Sequence, residues 1–111
     1  MLFLNRQIDR VMMIGRDVLV RATDVDAAGA RVVAEGRIIG GPDDGERFHT
    51  VHELKKGQSF VVGPNVTVTL LEVYPDLEEV RFGVHCPKHL PVMRQEIYEK
   101  LKREREMDNG E

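Results

Sequence analysis

The chain has no tryptophan, and its 111 residues are only 5% aromatic. A folded core must therefore be assembled from Val, Ile, Leu and Met. The single cysteine excludes an intrachain disulfide framework and fits a reducing cytosol, so a cytoplasmic protein is expected. No apolar run approaches the roughly 20 residues of a membrane span. The N-terminus turns polar after four residues, too soon for a signal peptide. Positive charge is not in excess either: the net charge is −3, so any nucleic-acid contact must come from a local cluster of Arg and Lys. The chain lacks a Gly-rich phosphate loop, a nucleophile elbow and a paired-carboxylate signature, and an enzyme is not expected. His49 and His52 stand three apart on a strand and point to opposite faces. His85-Cys86-x-x-His89 has no fourth ligand at zinc spacing. Pro42-Asp43-Asp44-Gly45 lacks the alternating ligands of a calcium loop. Neither a metal nor a cofactor is expected.

What is present is an apolar fraction of 41%, enough for one domain of modest core. The chain is organised around residues 80–98. Val80, Phe82 and Val84 alternate with Arg81, Gly83 and His85, the period of a half-buried strand. Cys86-Pro87-Lys88-His89 breaks it. Leu90, Val92 and Arg94 then share a face, and Pro91 places this short strand at a sheet edge. From Arg94 the period becomes helical, with Ile97, Tyr98 and Leu101 in one stripe. Upstream, strands are expected at 1–7, 11–15, 18–25, 31–39, 48–54, 59–62 and 66–73. The fold class is mainly β: small intertwined antiparallel sheets or a barrel of about nine short strands with one C-terminal helix. Residues 1–101 form one domain, with 1–39 and 46–101 as repeat-like halves joined by a 40–45 loop. Residues 102–111 form a charged tail expected to fray.

The two halves echo each other. Met13-Ile14-Gly15-Arg16-Asp17-Val18-Leu19-Val20 lines up with Val61-Val62-Gly63-Pro64-Asn65-Val66-Thr67-Val68. Both read apolar run, Gly, two turn residues, alternating strand. Short β-hairpins in general look like this; the other reading is a duplicated four-strand unit whose first copy lacks the Arg-bearing last strand and the helix.

Gly57-Gln58-Ser59-Phe60-Val61-Val62-Gly63, then Val80-Arg81-Phe82-Gly83-Val84, Cys86-Pro87-Lys88 and Arg94-Gln95-Glu96-Ile97-Tyr98, resemble the carbon storage regulators, the Csr/Rsm family of bacterial translational regulators. Met1-Leu2-Phe3-Leu4-Asn5-Arg6 and Met12-Met13-Ile14-Gly15 look like the same family's N-terminus. The resemblance is good over 1–25 and 57–101 and poor over 26–56. It implies short strands with a C-terminal helix, usually in an intertwined homodimer. It also implies an RNA site where the first strand of one protomer lies beside the last strand of the other, recognising GGA in the hairpin loops of mRNA leaders or small RNAs and modulating translation. Carried over by position, the RNA-binding residues are Leu4, Asn5 and Arg6 on one wall. On the other they are Arg81, Cys86, Pro87, Lys88, Leu90, Val92 and Arg94.

The residue types suit that task. Arg presents a planar fork that can bond a phosphate or a guanine edge bidentately. Leu4/Arg6 and Leu90/Val92/Arg94 share a layout with apolar residues mid-strand and Arg at the end, so paired edges would form an apolar floor with guanidinium groups at the rim. In the second half His52 falls where Leu4 sits and Leu54 where Arg6 sits. The expectation is one chain imitating a dimer with one RNA site; the competing arrangement is a homodimer with two. A β-rich interaction module that has lost RNA binding and acts on a related regulator or a protein antagonist is the alternative function; the acidic balance and Gln7 favour it.

Overall fold

The computed structural model describes residues 1–109. Nine strands and one helix follow in the order β1 (Leu2–Gln7), β2 (Met12–Ile14), β3 (Val18–Val25), β4 (Gly29–Arg37), β5 (Arg47–Lys55), β6 (Ser59–Val61), β7 (Thr67–Tyr74), β8 (Glu79–His85), β9 (Val92–Arg94) and α1 (Gln95–Asn109). A short 3-10 turn at Pro75–Leu77 joins β7 to β8. The strands make two antiparallel sheets, ordered β1-β8-β7-β6 and β5-β4-β3-β2-β9. Both sheets have free edges, so the barrel alternative is corrected: nothing pairs β1 with β6 or β5 with β9 among the described residues. Intertwining is present within the single chain. β1 leaves its sequence neighbours for the sheet of the second half, and β5 and β9 join the sheet of the first. The helix extends through Asn109, across the stretch expected as a tail; residues 110 and 111 lie outside the described residues.

Alternation decides which side chains face inward. Val18, Val20 and Ala22 of β3 are buried, as are Val68, Leu70 and Val73 of β7. With Met12, Ile14, Val32, Phe60, Val80, Phe82 and Val84 they form one cluster between the sheets. The shift from even to odd positions between Leu70 and Val73 comes from a register slip between Leu70 and Glu72, which turns the strand by one residue. β3 and β4 slip between Ala22 and Asp24, the matching place in the first half.

The halves agree in register as well. Met12 faces Val20 and Phe60 faces Val68. Ala22 faces Val32, and Leu70 faces Phe82. Leu4 faces Phe82 while His52 faces Val32; Asn5 faces Arg81 while Glu53 faces Arg31; Arg6 faces Val80 while Leu54 faces Ala30. β1 and β5 therefore occupy corresponding places, with His52 at the place of Leu4 and Leu54 at that of Arg6.

The last strand has no full counterpart. β9 pairs with β2, Met12 facing Arg94 and Ile14 facing Val92, and Gly15 N–H donates to the Pro91 carbonyl at 2.8 Å. On the side of β6 away from β7 there is, among the described residues, only the chain at Ile39, whose N–H donates to the Val62 carbonyl at 3.0 Å. That approach requires glycine at 63, where φ is +134° and a Cβ would strike the Ile39 carbonyl oxygen.

Candidate nucleic-acid interface

The free edge of β1 and the β9–α1 junction come together at one place. Arg6 lies on the inward face of β1 with Leu4, opposite Val80, and is buried at 5% exposure. A buried guanidinium needs an anion. Glu96, in the first turn of α1, supplies it bidentately, at 2.7 Å to Nη2 and 3.2 Å to Nη1. The hydrogen bond from Arg6 holds the Glu96 carboxyl below the usual carboxylate range. Gln95 N–H donates to the Val11 carbonyl at 3.1 Å and fixes the same junction to the start of β2. The expectation that Arg6 stands at a solvent rim is therefore corrected. Its side chain is directed into the sheet interface, and it acts as the tie between the first strand and the helix.

Arg94, by contrast, is exposed at the end of β9 and has no hydrogen-bond or ion-pair partner among the described residues. Arg81 lies on the outer face beside Asn5, half-buried, with its guanidinium 5.0 Å from the centroid of the Phe3 ring. Its Nε is buried without a partner among the described residues. Phe3 is 57% exposed. An exposed ring under a guanidinium is a stacking platform for an unstacked base. The alternation had placed Phe3 opposite Leu4; its open position was the signal that could have included it.

Leu4, Leu90 and Val92 are half-buried and packed against the core, so they supply apolar support between the charged groups. They come from both sheets, and the contact that links the sheets here is Arg6 with Glu96. Cys86 is half-buried, its thiol 3.9 Å from the Leu90 carbonyl, and burial raises its pKa. Leu90 N–H donates to the Pro87 carbonyl at 3.0 Å, closing the turn that holds Lys88 out in solvent. Cys86 and Pro87 also line a shallow depression with Asn65 and Thr67. Thus Asn5 and Arg6 lie on β1, Arg81 pairs with Asn5 from β8, and Arg94 immediately precedes the helix whose Glu96 holds Arg6, whereas Cys86, Pro87 and Lys88 form a turn at the far end of β8.

At the corresponding place on β5 the chemistry is different. Glu53 stands where Asn5 stands and binds Arg31 Nε at 2.6 Å, so the counterpart of Arg81 is neutralised. His52 stacks on Phe60 with centroids 4.2 Å apart, and burial lowers its pKa.

Residues 53–103 match the profile of CsrA, described as a global regulator protein family. The translational regulator CsrA of Pseudothermotoga lettingae is 36% identical over 53 residues, covering 48% of this chain and 67% of that protein. The protein of the same name from Thermotoga maritima is 35% identical over 48 residues, covering 43% and 55%. That from Thermosipho africanus is 36% identical over 50 residues, covering 45% and 66%. The aligned part therefore spans between about half and two thirds of these relatives. No solved structure matches the chain.

Proposed function

Because this chain belongs to the CsrA family of global regulators, we propose that it is an RNA-binding translational regulator whose site lies along β1 and the β9–α1 junction. The observation that carries the reading is Arg94: a free, exposed guanidinium two residues from the carboxylate that clamps the first strand. Loop RNA exposes bases whose edges and faces can be bound. Arg94 offers a fork for a guanine edge or a phosphate, Arg81 over Phe3 offers a stacking face, and Asn5, opposite Arg81, offers an amide. A GGA-bearing hairpin loop of an mRNA leader or small RNA suits this set, since guanine is the base whose paired acceptors an Arg fork matches. Occupying such a loop near a ribosome-binding site would modulate translation.

The shared registers and shared slip positions of the two halves support a duplicated unit, folded as a single-chain counterpart of a dimer. With Arg31 neutralised, Leu54 in place of Arg6 and, among the described residues, no strand on the outer side of β6, the second place is not a site. One RNA per chain is the expected stoichiometry. A gel-shift with a GGA hairpin, wild type against Arg94→Ala, tests the reading. Binding by wild type and its loss in the variant are expected; absence of binding by wild type overturns it. Two equivalent hairpins per chain would overturn the one-site form.

A further inference from the structure

The free edge of β5 is built to pair with itself. β5 is nine residues long, contains no proline, and runs beside β4 without a slip from Gly29 facing Lys55 to Arg37 facing Arg47. Natural edges are usually blunted by shortness, proline, bulges or mid-strand lysine; this one has none of these. Ile38 N–H donates to the Glu46 carbonyl and Lys56 N–H to the Ala28 carbonyl. The hydrogen-bonded positions toward β4 are thus even-numbered on β5, and alternation turns the backbone groups of His49, Val51 and Glu53 to the open edge.

The outer face across β4 and β5, on which Val33 is buried at 7% exposure and Val51 is exposed, carries three rows. Arg31 binds Glu53 at 2.6 Å, Val33 faces Val51, and Glu35 lies 4.0 Å from His49. We propose that a second copy of this chain adds antiparallel to this edge, with the two-fold axis at Val51. Val51 then meets the second copy's Val51, and His49 meets its Glu53. The rows become Val33-Val51-Val51-Val33, flanked on each side by Arg31-Glu53-His49-Glu35. On the inner face the same register sets half-buried Phe48 opposite Leu54. Arg47 opposite Lys55 is the unfavourable pair, and it falls at the open ends where solvent screens it. The β1 edge has no such symmetry: centred on Asn5, it sets Leu4 against Arg6 and Phe3 against Gln7.

Sedimentation equilibrium over a concentration series tests this, with Val51→Lys and Val51→Pro as variants. Val51 is 53% exposed, and its N–H faces away from β4, so both variants are expected to keep the single-chain fold, which circular dichroism checks. Wild type is expected to pass from one-chain to two-chain mass as concentration rises. Each variant is expected to weaken the association about tenfold or more, by placing like charges on the axis or removing a bridging donor. Wild type that stays at one-chain mass up to millimolar concentration overturns the proposal. So does a two-chain mass that both variants retain, which would mean copies joined by exchange of β1 or β9. The hairpin gel-shift on Val51→Lys reads the RNA site separately, and its affinity is expected to match wild type.

Discussion

β1 and β5 occupy corresponding positions in the two sheets and present opposite kinds of edge. Each lies beside a strand that carries an arginine on its outer face, Arg81 for β1 and Arg31 for β5. Opposite Arg81 stands Asn5, which leaves the charge available; opposite Arg31 stands Glu53, which cancels it. On the inner face, β1 ends in Arg6 and recruits Glu96 from the helix, whereas β5 has Leu54, which simply joins the core. The comparison teaches that fold and binding surface are separable here. The buried valines of β3 and β7 recur at matching places in both halves, while a few changes on β1 and β5 decide whether an edge presents charge or hides it.

The largest effect is expected where that difference is greatest. Arg94→Ala should weaken hairpin binding by about 10- to 100-fold, corresponding to ~1–3 kcal/mol of lost bidentate contact. Lys55→Ala, at the edge of β5, should leave binding unchanged in the same titration. Asn5→Glu imports the β5 solution into β1. It should cut RNA affinity about tenfold by pairing with Arg81 and repelling phosphate, whereas Glu53→Asn should create no second site. Phe3→Ala should cost ~1–3 kcal/mol of stacking, read in the same gel-shift; Val51→Ala, its β5 counterpart, should cost none.

Two smaller predictions concern stability. Glu96→Ala leaves the buried Arg6 guanidinium without its partner and should lower unfolding free energy by about 1–2 kcal/mol in a urea titration, the half-exposed carboxylate limiting the effect. Glu53→Ala, which breaks an exposed pair, should leave the midpoint where it is. The pH dependence separates the two edges in the same way. The Glu96 carboxyl has a lowered pKa when folded, so its contribution is complete above the ordinary carboxylate value of roughly 4.3 and is lost as pH falls through the folded value. His52 also has a lowered pKa, from burial against Phe60. The unfolded chain takes up its proton first, so stability falls as pH drops below about 6.5. His52→Leu should flatten that part of the pH–stability curve and leave the acid limb due to Glu96.

Much of the fold was legible in the sequence because it rests on alternation and turn residues. Val18-Val20-Ala22 and Val80-Phe82-Val84 announce half-buried strands, and Pro91 correctly puts β9 at a sheet edge. The correspondence of His52 with Leu4 was also readable from the echo, since pairing registers preserve it. The destination of Arg6 was not readable. Period-two alternation says that it shares a face with Leu4, but its burial depends on where Glu96 arrives, ninety residues later, through a strand in the other sheet. The quenching of Arg31 was hidden likewise: the echo puts Glu53 at the place of Asn5, but only the strand pairing shows that Arg31 stands opposite it. The helix beyond Leu101 escaped notice because its stripe of apolar residues stops there, and charge alternation reads equally as helix or as solvated tail.

The chain crosses between its sheets more than once: β1 belongs with β8, then β2 to β5 with one another, then β6 to β8 with β1, and finally β9 returns to β2. A cut in the 40–45 loop would therefore separate two fragments, neither holding all the strands of either sheet. Co-expressed fragments should recover the fold only by reassembling, with association as strong as the whole core they share. Covalent linkage makes that encounter intramolecular, so the interlocked arrangement does not depend on how much protein the cell contains.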